Sequence, residues 1–240
     1  ETIEALALEQ RFAALAVPAT EGARVLTAEE STAAARACAE LLARTPAYHV
    51  RAQHRRIGEA DSDEVMLRSE WRGQHVGGDR TRMARAFWTR QSAEGLADEW
   101  IDIGADNYMC GPGMWLKTPP GFVDRAVDNA VTRKDRFVAL LLGQQVSAGR
   151  SDEAATLLVY EAAQVGDLGR LGVPPGPVRV SLTIDRATHW LARAQVASLP
   201  GVSPGFELTL RFVAPARPLT LEAPSGALDM SKATPGRPLH

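Results

Sequence analysis

A period of two residues, recurring through most of the chain, constrains the fold more than any other feature of this sequence. In "VRVSLTID" Val178, Val180, Leu182 and Ile184 alternate with Arg179, Ser181, Thr183 and Asp185. In "GFELTLRFV" Phe206, Leu208, Leu210 and Phe212 alternate with Glu207, Thr209 and Arg211. Such a segment is a strand with one dry and one wet face. Similar patterns run through "AYHVRAQHRRI", "EVMLRSEWRG", "RTRMARAFWTR", "ADEWIDIG", "ATLLVYEAAQV" and "HWLARAQVASL", with turn residues such as "GEADSDE", "GGD", "ADN", "GPG" and "RAT" between them. Roughly ten strands in sequence-adjacent hairpins predict a large antiparallel sheet, and a sheet of that size curls or closes.

The dry face of such a sheet needs a cover, and three stretches have helical spacing. "TIEALALEQRFAALA" opens the chain. "TAEESTAAARACAELLAR" follows, with Thr27 and Glu30 in the form of a capping box and Pro46 beyond its end. A third helical region runs from "FVDRAVDNAV" to "VSAG" around the apolar turn "RFVALLLG", which contains Leu140, Leu141 and Leu142. The predicted fold class is therefore α+β: a strongly curved antiparallel sheet, a half-open β-barrel, with helices covering its concave face. No linker-like stretch divides the chain. The expectation is one domain over 1–224 and a flexible C-terminal tail over 225–240.

The bulk numbers exclude several functions. A net charge of -2 supplies no global attraction to nucleic acid or to anionic membrane, and no apolar run reaches the roughly 18 residues of a membrane helix. "CGPGMWLKT" at 110–118 resembles a phosphate loop only superficially. Leu116 stands where glycine should precede Lys117-Thr118, and Pro119-Pro120 cannot form the phosphate-binding helical turn. The stretch reads instead as a "GPG" hairpin turn, with Trp115 as an anchor and Lys117 and Thr118 on the solvent side. His49, His54, His75, His189 and His240 lack the i, i+4 partner of a zinc helix, and no Gly-x-Ser-x-Gly elbow occurs. No catalytic residue, metal or cofactor is expected. The arginines between Arg51 and Arg90 read as a solvated outer sheet face, with contact to anionic headgroups or an acidic partner as the functional alternative. Trp71, Phe87 and Trp88 among them carry no nucleic-acid-binding signature. The two cysteines form one disulfide in an oxidising compartment or remain two thiols in a reducing one.

The order of elements adds a resemblance. The helix leading into "YHVRAQ", the hairpin "IGADNYMCGPGMWLKT", "RFVALLLG", the pair "VSLTID" and "HWLARAQ", and the closing "RPLTLEAP" resemble the bacterial LolA/LolB-like lipoprotein superfamily, in particular its LppX/LprG-type branch. The resemblance covers roughly residues 30–224. It implies a half-open barrel plugged by helices, an apolar cavity that holds acylated molecules, and attachment outside the cytoplasm through a lipidated cysteine. This chain begins at Glu1 without such a cysteine, so the resemblance puts any lipid anchor upstream of the residues given.

The function expected on this basis is a non-enzymatic, extracytoplasmic lipid- or lipoprotein-binding carrier or chaperone. Its ligand is a lipid or acylated molecule, with an envelope protein as a further possible partner. Val178, Val180, Leu182, Ile184, Phe206, Leu208, Leu210 and Phe212 are the candidate lining, with Leu140, Leu141 and Leu142 on the helical plug. The alternative is an envelope protein-interaction or sensor module on the same scaffold without lipid cargo. In an exported protein Cys38 and Cys110 are the disulfide candidates, tying the hairpin of "NYMC" and "MWLKT" to the second helix.

Overall fold

The computed structural model describes residues 2–15, 22–57, 66–89, 96–119, 132–162, 177–202 and 205–230. Three helices are present among them: α1 (Thr2–Ala13), α2 (Ala28–Arg44) and α3 (Asp135–Gly143). The strands are β1 (Arg24–Val25), β2 (Ala47–Ile57), β3 (Met66–Val76), β4 (Arg80–Thr89), β5 (Leu96–Ile103), β6 (Asp106–Gly111), β7 (Met114–Thr118), β8 (Ala148–Ser151), β9 (Ala155–Ala162), β10 (Val178–Asp185), β11 (Leu191–Ser198), β12 (Gly205–Val213) and β13 (Leu228–Asp229). All belong to one unclosed, curved sheet in the order β1-β8-β9-β10-β11-β12-β2-β3-β4-β5-β6-β7-β13. Two meanders, β2 to β7 and β8 to β12, join where β12 pairs with β2 from Gly205↔Ile57 to Val213↔His49.

The alternation explains which side of each strand is buried. Tyr48, Val50 and Ala52 of β2 lie opposite His75, Gly73 and Trp71 of β3, and this inward set continues into Thr81, Met83 and Arg85 of β4. Against this inner face pack Ala35, Cys38, Ala39 and Leu42 of α2 and Phe137, Leu140 and Leu141 of α3, forming a single buried cluster. The helix start at Thr27 is the predicted capping box. The Thr27 hydroxyl accepts from the Glu30 amide at 3.2 Å, and the Glu30 carboxylate accepts from the Thr27 amide at 2.8 Å. Close approach of α2 to β8 requires Gly149, where an added Cβ would stand 2.3 Å from the Ser31 Oγ.

Four expectations need correction. The helix α1 does not share the inner face with α2 and α3. Its Phe12 is buried beneath the outward-pointing Arg51, whose guanidinium stands 4.7 Å from the ring centroid. The helical region ends before 148, since 148–151 forms strand β8; that strand, like its neighbour β1 at the sheet edge, is too short and polar to show a period. Residues 120–131 of that region lie outside the described residues. The loose tail does not begin at 225, because Leu228–Asp229 pairs parallel to Leu116–Lys117 and the Met230 amide donates to the Lys117 carbonyl at 2.9 Å. Residues 231–240 lie outside the described residues. Finally, Thr118 is buried and faces inward with Asn107, whereas Lys117 points outward to Asp106 at 2.7 Å.

The capping box gives a direct test. Thr27→Ala should lower the unfolding free energy by about 1 kcal/mol, measured by chemical denaturation, with Thr27→Ser close to the parent.

Candidate functional site

The inner face divides into a covered half and an open half. In the covered half every strand residue singled out from the sequence is at most 3% exposed: Val178, Val180, Leu182, Ile184, Phe206, Leu208, Leu210 and Phe212. Leu140 and Leu141 are buried with them, whereas Leu142 is 61% exposed and has no place in the lining. The reason is helical geometry. Phe137, Leu140 and Leu141 share one stripe, and the next residue lies 100° further round, turned from the sheet.

The open half was not singled out from the sequence. Register carries one apolar row from the core to the sheet edge: Trp100 on β5 faces Met109 on β6, Met109 faces Leu116 on β7, and Leu116 faces Leu228 on β13. Exposure rises along it. Trp100 is fully buried, Met109 and Leu116 are half-buried, and Leu228 is 48% exposed. Met114, on the same face of β7, is 52% exposed. The result is an apolar track running outward from the packed core.

A buried polar cluster fastens the lead into α3. Tyr48 stacks on His75 with centroids 4.8 Å apart. His75 Nε2 bonds the Thr132 hydroxyl at 2.8 Å and Nδ1 bonds the Thr81 hydroxyl at 3.1 Å. The Lys134 ammonium donates to the Leu42 carbonyl at the C-terminal end of α2 and lies over the Tyr48 ring at 5.5 Å. It thereby adds a charged donor to a last-turn carbonyl that also accepts from the Thr45 amide, and complements the helix dipole. One lysine couples α2, α3 and the sheet. Burial pulls the pKa of His75 down to about 3, with Arg133 pushing the same way and Asp135 opposing it.

Two inward-facing polar atoms, the Tyr160 hydroxyl and the His54 Nε2, are buried and have no hydrogen-bond partner. An unsatisfied buried group of this kind costs about 1–3 kcal/mol. Among the described residues no three metal-ligating side chains converge.

The disulfide expectation fails. Cys38 and Cys110 are both free, Cys38 buried and Cys110 exposed. Cys38 sits on α2 against the inner face. Cys110 lies between the inward Met109 and Gly111 and therefore points to the outer face, so the sheet separates the two sulfurs. Burial pushes the Cys38 thiol up to about 12.

The architecture is that of a half-open, curved antiparallel barrel with helices packed on its inner face. The structure of LprF from Mycobacterium bovis superposes with a TM-score of 0.55 at 14% identity, covering 82% of this chain and 98% of that one. Mycobacterium tuberculosis lipoprotein LppX gives a TM-score of 0.46 at 12% identity, covering 82% and 100%, and a LolA superfamily protein from Nitrosomonas europaea gives 0.29 at 10% identity, covering 78% and 92%. The likeness to LprF is one of fold. No protein-family model and no curated protein matches the chain in sequence.

Two measurements check this site. Native protein should take up one equivalent of a maleimide, at Cys110, and a second only on unfolding, as counted by intact mass. His75 supplies a pH dependence. The unfolded chain takes up its proton near pH 6.5 while the folded chain does not until about pH 3. The stability associated with neutral His75 is therefore complete above 6.5 and is lost as pH falls through that window, with a slope approaching about 1.4 kcal/mol per unit. Denaturation of His75→Gln across the same range should show a correspondingly shallower fall.

Proposed function

We propose that this protein is a non-enzymatic, extracytoplasmic carrier or chaperone for a lipid or an acylated protein. The observation that carries the reading is the apolar track of Met109, Leu116 and Leu228, which leads from the exposed edge of the sheet to Trp100 in the core. Water-facing apolar side chains in a row on the inner face of an unclosed sheet are a surface on which an acyl chain gains about 0.8 kcal/mol for each methylene it buries.

On this reading the chain docks along the track and passes toward Val180, Leu182, Leu208 and Leu210 as α2 and α3 move away from the sheet. Lys134 and His75 are the contacts that hold those helices closed. The unpartnered hydroxyl of Tyr160 would then meet a polar ester or amide of the ligand. The LolA/LolB-like resemblance supports the same assignment, as does the LprF-like fold. Among the described residues no helix is long and apolar enough to cross a membrane. A sensor or docking module without cargo is the alternative, and it requires an inner face that never opens.

Organic extraction of the purified protein followed by mass spectrometry should recover an acylated molecule. Met109→Asp with Leu116→Asp should abolish uptake of a fluorescent fatty acid while leaving the fold intact by circular dichroism. An empty extract together with no uptake by the parent protein would exclude the carrier.

A further inference from the structure

The outer face of the sheet holds a feature that strand pairing alone would avoid. Register places Arg193 of β11 opposite Arg211 of β12, Arg211 opposite Arg51 of β2, and Arg51 opposite Arg72 of β3. Like charges directly opposite one another on adjacent strands are destabilising. The repulsion registers at the central member, where the Arg51 pKa is lowered by burial first and then by Arg72 and Arg211.

The nearby carboxylates are already engaged. Glu9 pairs with Arg51, Glu70 with Arg68, and Glu99 with Arg82. Among the described residues no carboxylate pairs with Arg72, Arg211 or Arg193, and the Arg193 Nε is buried without a partner.

Two adjoining hollows lie on this row. A depression of about 100 Å³ is rimmed by Arg51, Arg72, Arg211, Gln53 and Thr209, with Glu70 at its side. It opens beside a groove of about 780 Å³ between α1 and the sheet, and the two share Arg51 and Arg72. The groove has Leu8, Phe12, Ala84 and Leu219 among its lining residues. A cationic hollow of head-group size therefore meets an apolar slot.

We infer that this outer face binds an anionic amphiphile, a single molecule with a phosphate or carboxylate head on Arg72 and Arg211 and an alkyl tail in the groove beneath α1. The head supplies the counter-charge the arginine row lacks, through charge-assisted hydrogen bonds from guanidinium groups. The tail covers apolar surface that α1 leaves open. This site lies on the opposite side of the sheet from the inner track and stands independently of it.

The test is calorimetric titration of the intact chain with dodecyl phosphate below its micellar concentration, set against dodecyl maltoside and inorganic phosphate. Dodecyl phosphate should bind, more weakly as salt rises, and at least about tenfold more tightly than either comparator. The double variant Arg72→Gln/Arg211→Gln keeps the Glu9–Arg51 contact and relieves repulsion. It should melt no lower than the parent yet lose about tenfold or more in dodecyl phosphate affinity. Ala84→Phe should weaken dodecyl phosphate while leaving inorganic phosphate unchanged.

Equal binding of dodecyl maltoside would overturn the anionic head. Equal binding of inorganic phosphate would overturn the tail groove and leave a free-phosphate site. Unchanged affinity in the double variant would overturn the site altogether. Recovery of the same extractable lipid from the double variant and the parent would leave the inner-face assignment standing whatever the outcome here.

Discussion

The nine-pair seam between β12 and β2, from Gly205↔Ile57 to Val213↔His49, is the interaction on which the rest depends. It joins residues more than a hundred positions apart in the chain and fuses two local meanders into one sheet with one inner face. Leu208, Leu210 and Phe212 come opposite His54, Ala52 and Val50 because of it. A one-residue slip would turn every one of these side chains to the opposite face. The contact is also the costly one to make, since a long loop must close before any of its bonds form.

Once the seam is set, the helices have little freedom. The apolar stripe of α2 and that of α3 meet over the inner face, and Lys134 ties the end of one helix to the start of the other. These are the contacts that the proposed entry of a ligand would have to part. His75, Tyr48 and Lys134 add polar and ring contacts at one end of an apolar interface that extends over the whole covered half of the sheet.

The two faces of the sheet carry different physics. Inside, exposure rises from Trp100 to Leu228 along an apolar row; outside, arginines from four adjacent strands stand side by side. Apolar side chains lined up toward solvent and cations lined up against one another both cost the free protein stability. Each arrangement becomes favourable when a complementary ligand covers it, which is why both are read as binding surfaces.

Much of the fold was legible. The period of two in "VRVSLTID" and "GFELTLRFV" identified the inward side of β10 and β12, although the outward Thr183 is buried as well, and the Thr27–Glu30 capping box located the start of α2. The candidate site was legible only in part. Val178, Val180, Leu182, Ile184, Phe206, Leu208, Leu210 and Phe212 are buried on the inner face, Leu142 is exposed, and the track through Met109, Leu116 and Leu228 has no signal in the sequence. Alternation states which face a side chain takes, because that is fixed by the pleat of its own strand. It does not state which strand lies alongside. That choice belongs to long-range pairing, so only the tertiary structure could put Cys38 and Cys110 on opposite sides of the sheet, send α1 to the outer face, and bring Arg193, Arg211, Arg51 and Arg72 into one row.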